Sequence, residues 1–258
     1  MAIVVTALGT IQTKTITTLQ LSVSGAWAVG DYVLVVTAGD YTPSSSVLAT
    51  QIGSGGSDLT LTKDVEATNT GNVLCSIWSG RAVNATAGPI TISVSSAASS
   101  KAYSVYHVTG LASSGAFDKS ASSTGTSTTP SSTQTATLAQ TDELLVGCVG
   151  TEGPNGDAAG AWDTGANQAT DNNQRLGTTG GGAASNITVA SATKIVTATT
   201  GGIASKNSIT SRDWAAAIAT YKAAAGGATY TRTATPVTGA LRATVARTAT
   251  TLAAQLSR

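Results

Sequence analysis

The strongest constraint on this chain is a succession of short apolar runs, most of them five to nine residues long, separated by Gly, Ser, Asn and Pro breakers. Runs of that length, rich in Val, Ile and Thr, have the content of strands and are too short for buried helices. Eleven stand out: 3–6, 15–23, 32–38, 59–65, 73–79, 90–95, 102–109, 133–138, 143–149, 186–197 and 214–222. Weaker ones lie at 46–51 and 158–162. Several alternate cleanly, such as Ile90, Ile92 and Val94 against Thr91 and Ser93, the pattern of a strand with one buried face. The stretch Trp214–Tyr221 is alanine-rich enough for a helix, yet its small alternating residues fit a closing strand better. The expected fold is all-β: an antiparallel, two-sheet, jelly-roll-like β-sandwich over residues 1–223, with an extended C-terminal arm over 224–258.

Composition supports that class and excludes others. Charged residues make up 10% of the chain, too few for a coiled coil or long-helix protein, which draw about half their residues from A/E/K/L/R. A net charge of +1 and a mean hydropathy of +0.14 do not suit classical disorder. No stretch approaches the ~20 apolar residues of a membrane helix. The N-terminus carries no basic segment before an apolar one, so synthesis in the cytoplasm without a signal peptide is expected. Cys75 and Cys148 both lie in strand-like runs and read as buried thiols, with a single disulfide as the alternative.

Two segments resemble each other. Gly30-Asp-Tyr-Val-Leu-Val-Val-Thr-Ala-Gly39 and Thr141-Asp-Glu-Leu-Leu-Val-Gly-Cys-Val-Gly150 each place an Asp at a turn, then an apolar strand that ends at Gly. Continuous apolar runs suit central strands covered on both faces, and the pair could mark equivalent strands of stacked sheets. Two polar stretches, 113–132 and 152–182, read as long loops, which in compact domains are functional or disordered. The second contains Trp162, Asp163, Asn167 and Asp171, a candidate ligand loop whose oxygen donors are of the kind calcium takes but lack EF-hand spacing. No catalytic residue, metal site or cofactor is expected. The single histidine, His107, sits mid-strand, and no Gly-x-Ser-x-Gly elbow is present.

Charge divides the chain. Residues 1–223 hold ten Lys/Arg and thirteen Asp/Glu, a net of −3; residues 224–258 hold four Arg and no acid, a net of +4. The basic tail begins with Ala-Ala-Ala-Gly-Gly-Ala, a flexible composition, and repeats Arg232-Thr-Ala-Thr235 as Arg247-Thr-Ala-Thr250. Val237 and Leu241 of the first copy fall on Leu252 and Leu256 of the second. Each copy could form a short amphipathic helix or a strand-addition arm. With Arg242 and Arg258, these residues form the candidate partner-binding set. Four Arg so widely spread make a weak nucleic-acid interface.

A Ser/Thr/Ala/Gly-rich β body followed by Arg-Thr-Ala-Thr repeats resembles the minor structural proteins of tailed bacteriophages. Segments 141–147 and 213–222 look like the late strands of such domains. The resemblance implies a non-enzymatic virion protein, foremost a capsid decoration (cement) protein. Its arm would dock on the major capsid protein or other virion subunits, and it would form a homo-oligomer, by analogy a trimer. The alternative is a tail or fibre adhesin that binds host glycans through 152–182. The resemblance transfers no site residues.

Overall fold

The computed structural model describes residues 2–13, 18–23, 26–41, 48–50, 61–85, 90–95, 100–178, 185–225, 229–232 and 245–248. Among these, every extended element is a strand and none is an α-helix. The first eight strands are β1 (Val4–Thr13), β2 (Thr18–Val23), β3 (Tyr32–Asp40), β4 (Leu48–Thr50), β5 (Thr62–Asn69), β6 (Val73–Arg81), β7 (Ile90–Ser95) and β8 (Lys101–Thr109). The next eight are β9 (Phe117–Ser127), β10 (Ser131–Gln134), β11 (Glu143–Glu152), β12 (Ala159–Trp162), β13 (Asp171–Gly177), β14 (Ile187–Val196), β15 (Ile203–Ile209) and β16 (Arg212–Lys222). In the arm, β17 (Thr229–Arg232) pairs antiparallel with β18 (Val245–Thr248).

The sheet orders reveal an internal duplication. The first eight strands form one sheet β1-β8-β3-β6-β5 and a second β2-β7-β4. The next eight form β9-β16-β11-β14-β13 and β10-β15-β12, so adding eight to every label converts one set into the other. Each set is an antiparallel sandwich of jelly-roll-like order, its fifth strand paired with the sixth instead of the fourth, and residues 1–223 hold two such sandwiches in tandem where a single one was expected. Equivalent pairings fix the correspondence: Leu34 lies opposite Tyr106 across β3 and β8, and Leu144 opposite Tyr221 across β11 and β16. The two Asp-led segments are thus equivalent central strands. Aligning their Asp residues, however, matches Leu34 with Leu145, one residue out of step with the structure. A one-residue slip exchanges the two faces of a strand.

The two sandwiches stack through their five-stranded sheets, giving four layers. On β3, Leu34, Val36 and Ala38 face the other sandwich, while Val33 and Val35 face β2 and β7 of their own. On β11, Leu144, Val146 and Cys148 face the junction, and Leu145 faces its own three-stranded sheet. Both faces of the inner sheets are therefore buried, which is why these strands are apolar without alternation. Each fully buried Leu or Val contributes about 1.5–3 kcal/mol. Layers also come close together, within the second sandwich at Gly147 and across the junction at Gly150. A Cβ on Gly147 would lie 2.7 Å from that of Ala204, and one on Gly150 would lie 3.0 Å from that of Ala38.

Polar contacts cross the junction reciprocally. Tyr106 of the first sandwich shares a 2.7 Å hydrogen bond with Ser191 Oγ and donates to the Asn172 carbonyl on β13 at 3.1 Å. Its counterpart Tyr221 donates to Asp64 Oδ2 on β5 at 2.7 Å. Both phenols are held neutral, their pKa raised chiefly by burial. The chain passes between sandwiches at Gly110, whose φ of +81° and contact with the Ala2 backbone leave no room for a side chain. The chain out of β16 returns to this same place, with Ala224 N–H donating to the Gly110 carbonyl at 2.7 Å.

Several expectations need correction. The polar stretch 113–132 is not a loop: it holds β9, an edge strand whose residues alternate between half-buried and exposed, and the start of β10. The stretch 152–182 contains β12 and β13. The run at 133–138 is mostly turn, since β10 ends at Gln134 and Thr133 takes a φ of +64°. Strand β15 lies in a polar segment, Ile-Ala-Ser-Lys-Asn-Ser-Ile, that shows little apolar signal. Other expectations hold: segment 214–221 is the strand that its alternation favoured over a helix, and Cys75 and Cys148 are the free, buried thiols expected, on adjoining faces of the junction.

Candidate functional site

Strand β12 is short because Pro154 and the Gly153 and Gly156 turns precede it and Asp163 ends it. It pairs with β15, placing Trp162 directly opposite Lys206. Gly160, at φ +58°, packs its Cα against the Asn207 carbonyl, an approach that any Cβ would block. Strand β13 then runs along β14 and carries Arg175. Between β12 and β13 lies a cleft of about 490 Å³, within the usual range for small-ligand sites. Ala159, Ala161 and Ala190 give it apolar walls, Thr164, Thr170 and Asn173 supply hydroxyl and amide groups, and Trp162 is half-buried at its side.

The charged residues lining this cleft are Arg175 and Lys206, both cations. Lys206 is 5% exposed. Its Nζ lies 4.7 Å from the centre of the Trp162 ring and donates a long hydrogen bond of 3.4 Å to the Gly160 carbonyl. Burial, then repulsion from Arg175, pushes the Lys206 pKa down to about 8, against a smaller pull from Asp163. Arg175 donates to Asn155 O and Oδ1 at 2.9 Å and to Asp157 O at 3.3 Å, all neutral oxygens. Burial lowers its pKa as well, with Asp157 opposing. The nearby carboxylates are engaged elsewhere: Asp163 accepts from Ser205 and Asn207 at 2.7 and 2.6 Å, and Asp157 pairs with Arg212 at 2.8 Å. Among the described residues neither Lys206 nor Arg175 forms an ion pair.

Of the four candidate ligand-loop residues, the structure brings Trp162 to this cleft. Asp163 sits behind it, holding β15. Asn167 donates to the Gly201 carbonyl at 2.7 Å. Asp171 starts β13 and lines a separate depression with Val4 and Ile195. The oxygen donors thus turn to different partners, and among the described residues no three His, Cys, Asp or Glu side chains gather into a metal-holding group. Sequence reasoning missed Lys206 and Arg175. The internal repeat calls for a strand near 203–209 to match β7, which would put Lys206 on a strand, but nothing in the sequence brings it to one cleft with Arg175.

His107 is tied to the turn before β3: its Nε2 lies 2.9 Å from Asp31 Oδ2, and its ring lies 4.2 Å from that of Trp27. The same Asp31 oxygen accepts from Ala28 N–H at 2.8 Å, so the histidine braces a loop. In the arm, Arg232 and Arg247 lie on β17 and β18. Val237, Leu241, Arg242, Leu252, Leu256 and Arg258 fall outside the described residues. No family model, curated protein or solved structure matches this chain.

Proposed function

We propose that this protein is a non-enzymatic structural component of a tailed-phage particle, a decoration protein of the shell. In this reading the double sandwich is the body and the arm docks on the major capsid protein or a neighbouring copy. The observation that carries it is the arm's ladder, in which Thr229–Arg232 pairs with Val245–Thr248 over four residue pairs. A two-stranded ladder is marginal in water on its own, and among the described residues each of its strands keeps one edge unpaired. Such edges recruit further strands, and the Arg-rich, acid-free sequence suits an acidic receiving surface. The arm also leaves the body beside the Gly110 junction, so tension on it bears on both sandwiches.

The test is incorporation into particles. Deleting residues 224–258 leaves the body's core complete and should preserve its unfolding transition while abolishing incorporation. In the full-length chain, Arg232→Glu with Arg247→Glu should weaken incorporation more at low salt than at high salt. Normal incorporation of the truncated chain would refute the reading.

A further inference from the structure

The geometry points to a binding site for an acidic saccharide in the cleft between β12 and β13. A sugar carboxylate would sit between Arg175 and Lys206, and the ring would lie against the exposed part of Trp162. This inference does not depend on the arm or on where the protein resides. Two like charges in a partly desolvated cleft repel each other, and here neither has a carboxylate partner among the described residues. Proteins normally pair buried charges, so an arriving anion gains two charge-assisted contacts that the empty fold lacks. Arg can grip a carboxylate through two parallel N–H bonds, and Lys206 adds a second cation from the opposite wall.

The rest of the lining favours a sugar over a bare anion. Alanine walls accept the apolar C–H face of a pyranose, an indole offers a stacking surface, and Thr164, Thr170 and Asn173 match a ring of hydroxyls. Asn155 and the Asp157 carbonyl hold the Arg175 guanidinium, and the Gly160 carbonyl and the Trp162 ring hold the Lys206 ammonium, so both cations are positioned by neutral groups. A neutral sugar would leave the cations uncompensated, so selectivity for the acidic ligand follows from the same feature.

The experiment is calorimetric titration of the full-length chain with trigalacturonate, maltotriose and inorganic sulfate, with Trp emission followed in parallel. Trigalacturonate should bind at least about tenfold more tightly than maltotriose. Lys206→Met and Arg175→Gln should each weaken it by about tenfold or more, the usual effect of losing one charged hydrogen bond. Trp162→Phe should abolish most of the emission change. Lys206→Met replaces a desolvated cation by an apolar chain of similar length, so it should fold, and an unchanged circular dichroism spectrum checks this; Arg175→Gln tests the opposite wall independently. Three results would overturn the proposal: no binding of trigalacturonate at millimolar concentration, equal binding of both trisaccharides, or sulfate binding as tightly as trigalacturonate. Unchanged affinity in both cation variants would do so as well.

Discussion

Gly150 on β11 is the place to test how the two sandwiches meet. A Cβ there would lie 3.0 Å from the Ala38 Cβ of the other sandwich, and 3.2 Å from both the Cys75 Cβ and the Leu74 carbonyl oxygen. Carbon atoms prefer about 3.5–4.0 Å, so Gly150→Ala forces the inner sheets apart by roughly half an ångström or makes β3 yield. Overpacking of this kind costs about 1–3 kcal/mol. Three contacts at once, one of them to a backbone carbonyl, put this site at about 2–3 kcal/mol of that range; removing a strand glycine returns about 0.5–1 kcal/mol, leaving a net loss of about 1–2.5 kcal/mol. For a body of this size that lowers the melting temperature by roughly 2–10 °C. Ala38→Gly alone should also destabilise, by about 0.8 kcal/mol for the lost methyl group plus the backbone effect. The double variant, though, should be more stable than the sum of the two by about 1 kcal/mol, because the facing Cβ is gone. Recovery is incomplete, since Cys75 and Leu74 remain. Urea unfolding of the four proteins gives the coupling directly. Strict additivity, or a harmless Gly150→Ala, would show that β11 and β3 do not face each other and would refute the stacking.

Two further outcomes follow from buried groups. Burial pushes Lys206 and Lys101 down to about 8 from 10.5, so between those values the unfolded chain holds protons that the folded chain has released. Stability should therefore rise with pH across that window, and the urea midpoint should rise less in Lys206→Met; a midpoint falling with pH in both proteins would contradict the placement of these lysines. Cys148 is fully buried, and that burial, with Cys75 beside it, holds its thiol well above the ordinary range. Both thiols should resist an aqueous thiol reagent in the native protein and react at the rate of unfolding, whereas fast labelling at neutral pH would mean that the junction is open.

Legibility in the sequence depended on how each strand is buried. Strands of the inner sheets, such as 32–40 and 143–152, announced themselves because both faces are covered and the central residues form a continuous apolar run. Outer strands did not: β9 is Ser/Thr-rich with one half-buried face, and β15 carries Lys206 and Asn207, so hydropathy made one a loop and passed over the other. The two Asp-led segments pointed to equivalent strands without establishing a duplication, and aligning their Asp residues put the register one residue out. At the site, Trp162 was found for its bulk. Lys206 and Arg175 could not be found, since only the pairing of β12 with β15 and the course of β13 bring them to a common cleft from 31 residues apart. For the arm the sequence left a short helix and an added strand both open, and its described parts, 229–232 and 245–248, are strands.

The reciprocal reach of Tyr106 and Tyr221 is what an isologous dimer would show, in which one surface meets its own copy. Here both copies belong to one polypeptide, joined through Gly110, so the local concentration of each for the other is fixed by the tether rather than by the amount of protein. Dilution does not dissociate such a pair. Fusion also releases it from symmetry. A true homodimer must carry every feature twice, whereas this chain has one basic arm for two jelly rolls, and its second half holds a doubly cationic cleft that the first half has no obligation to match.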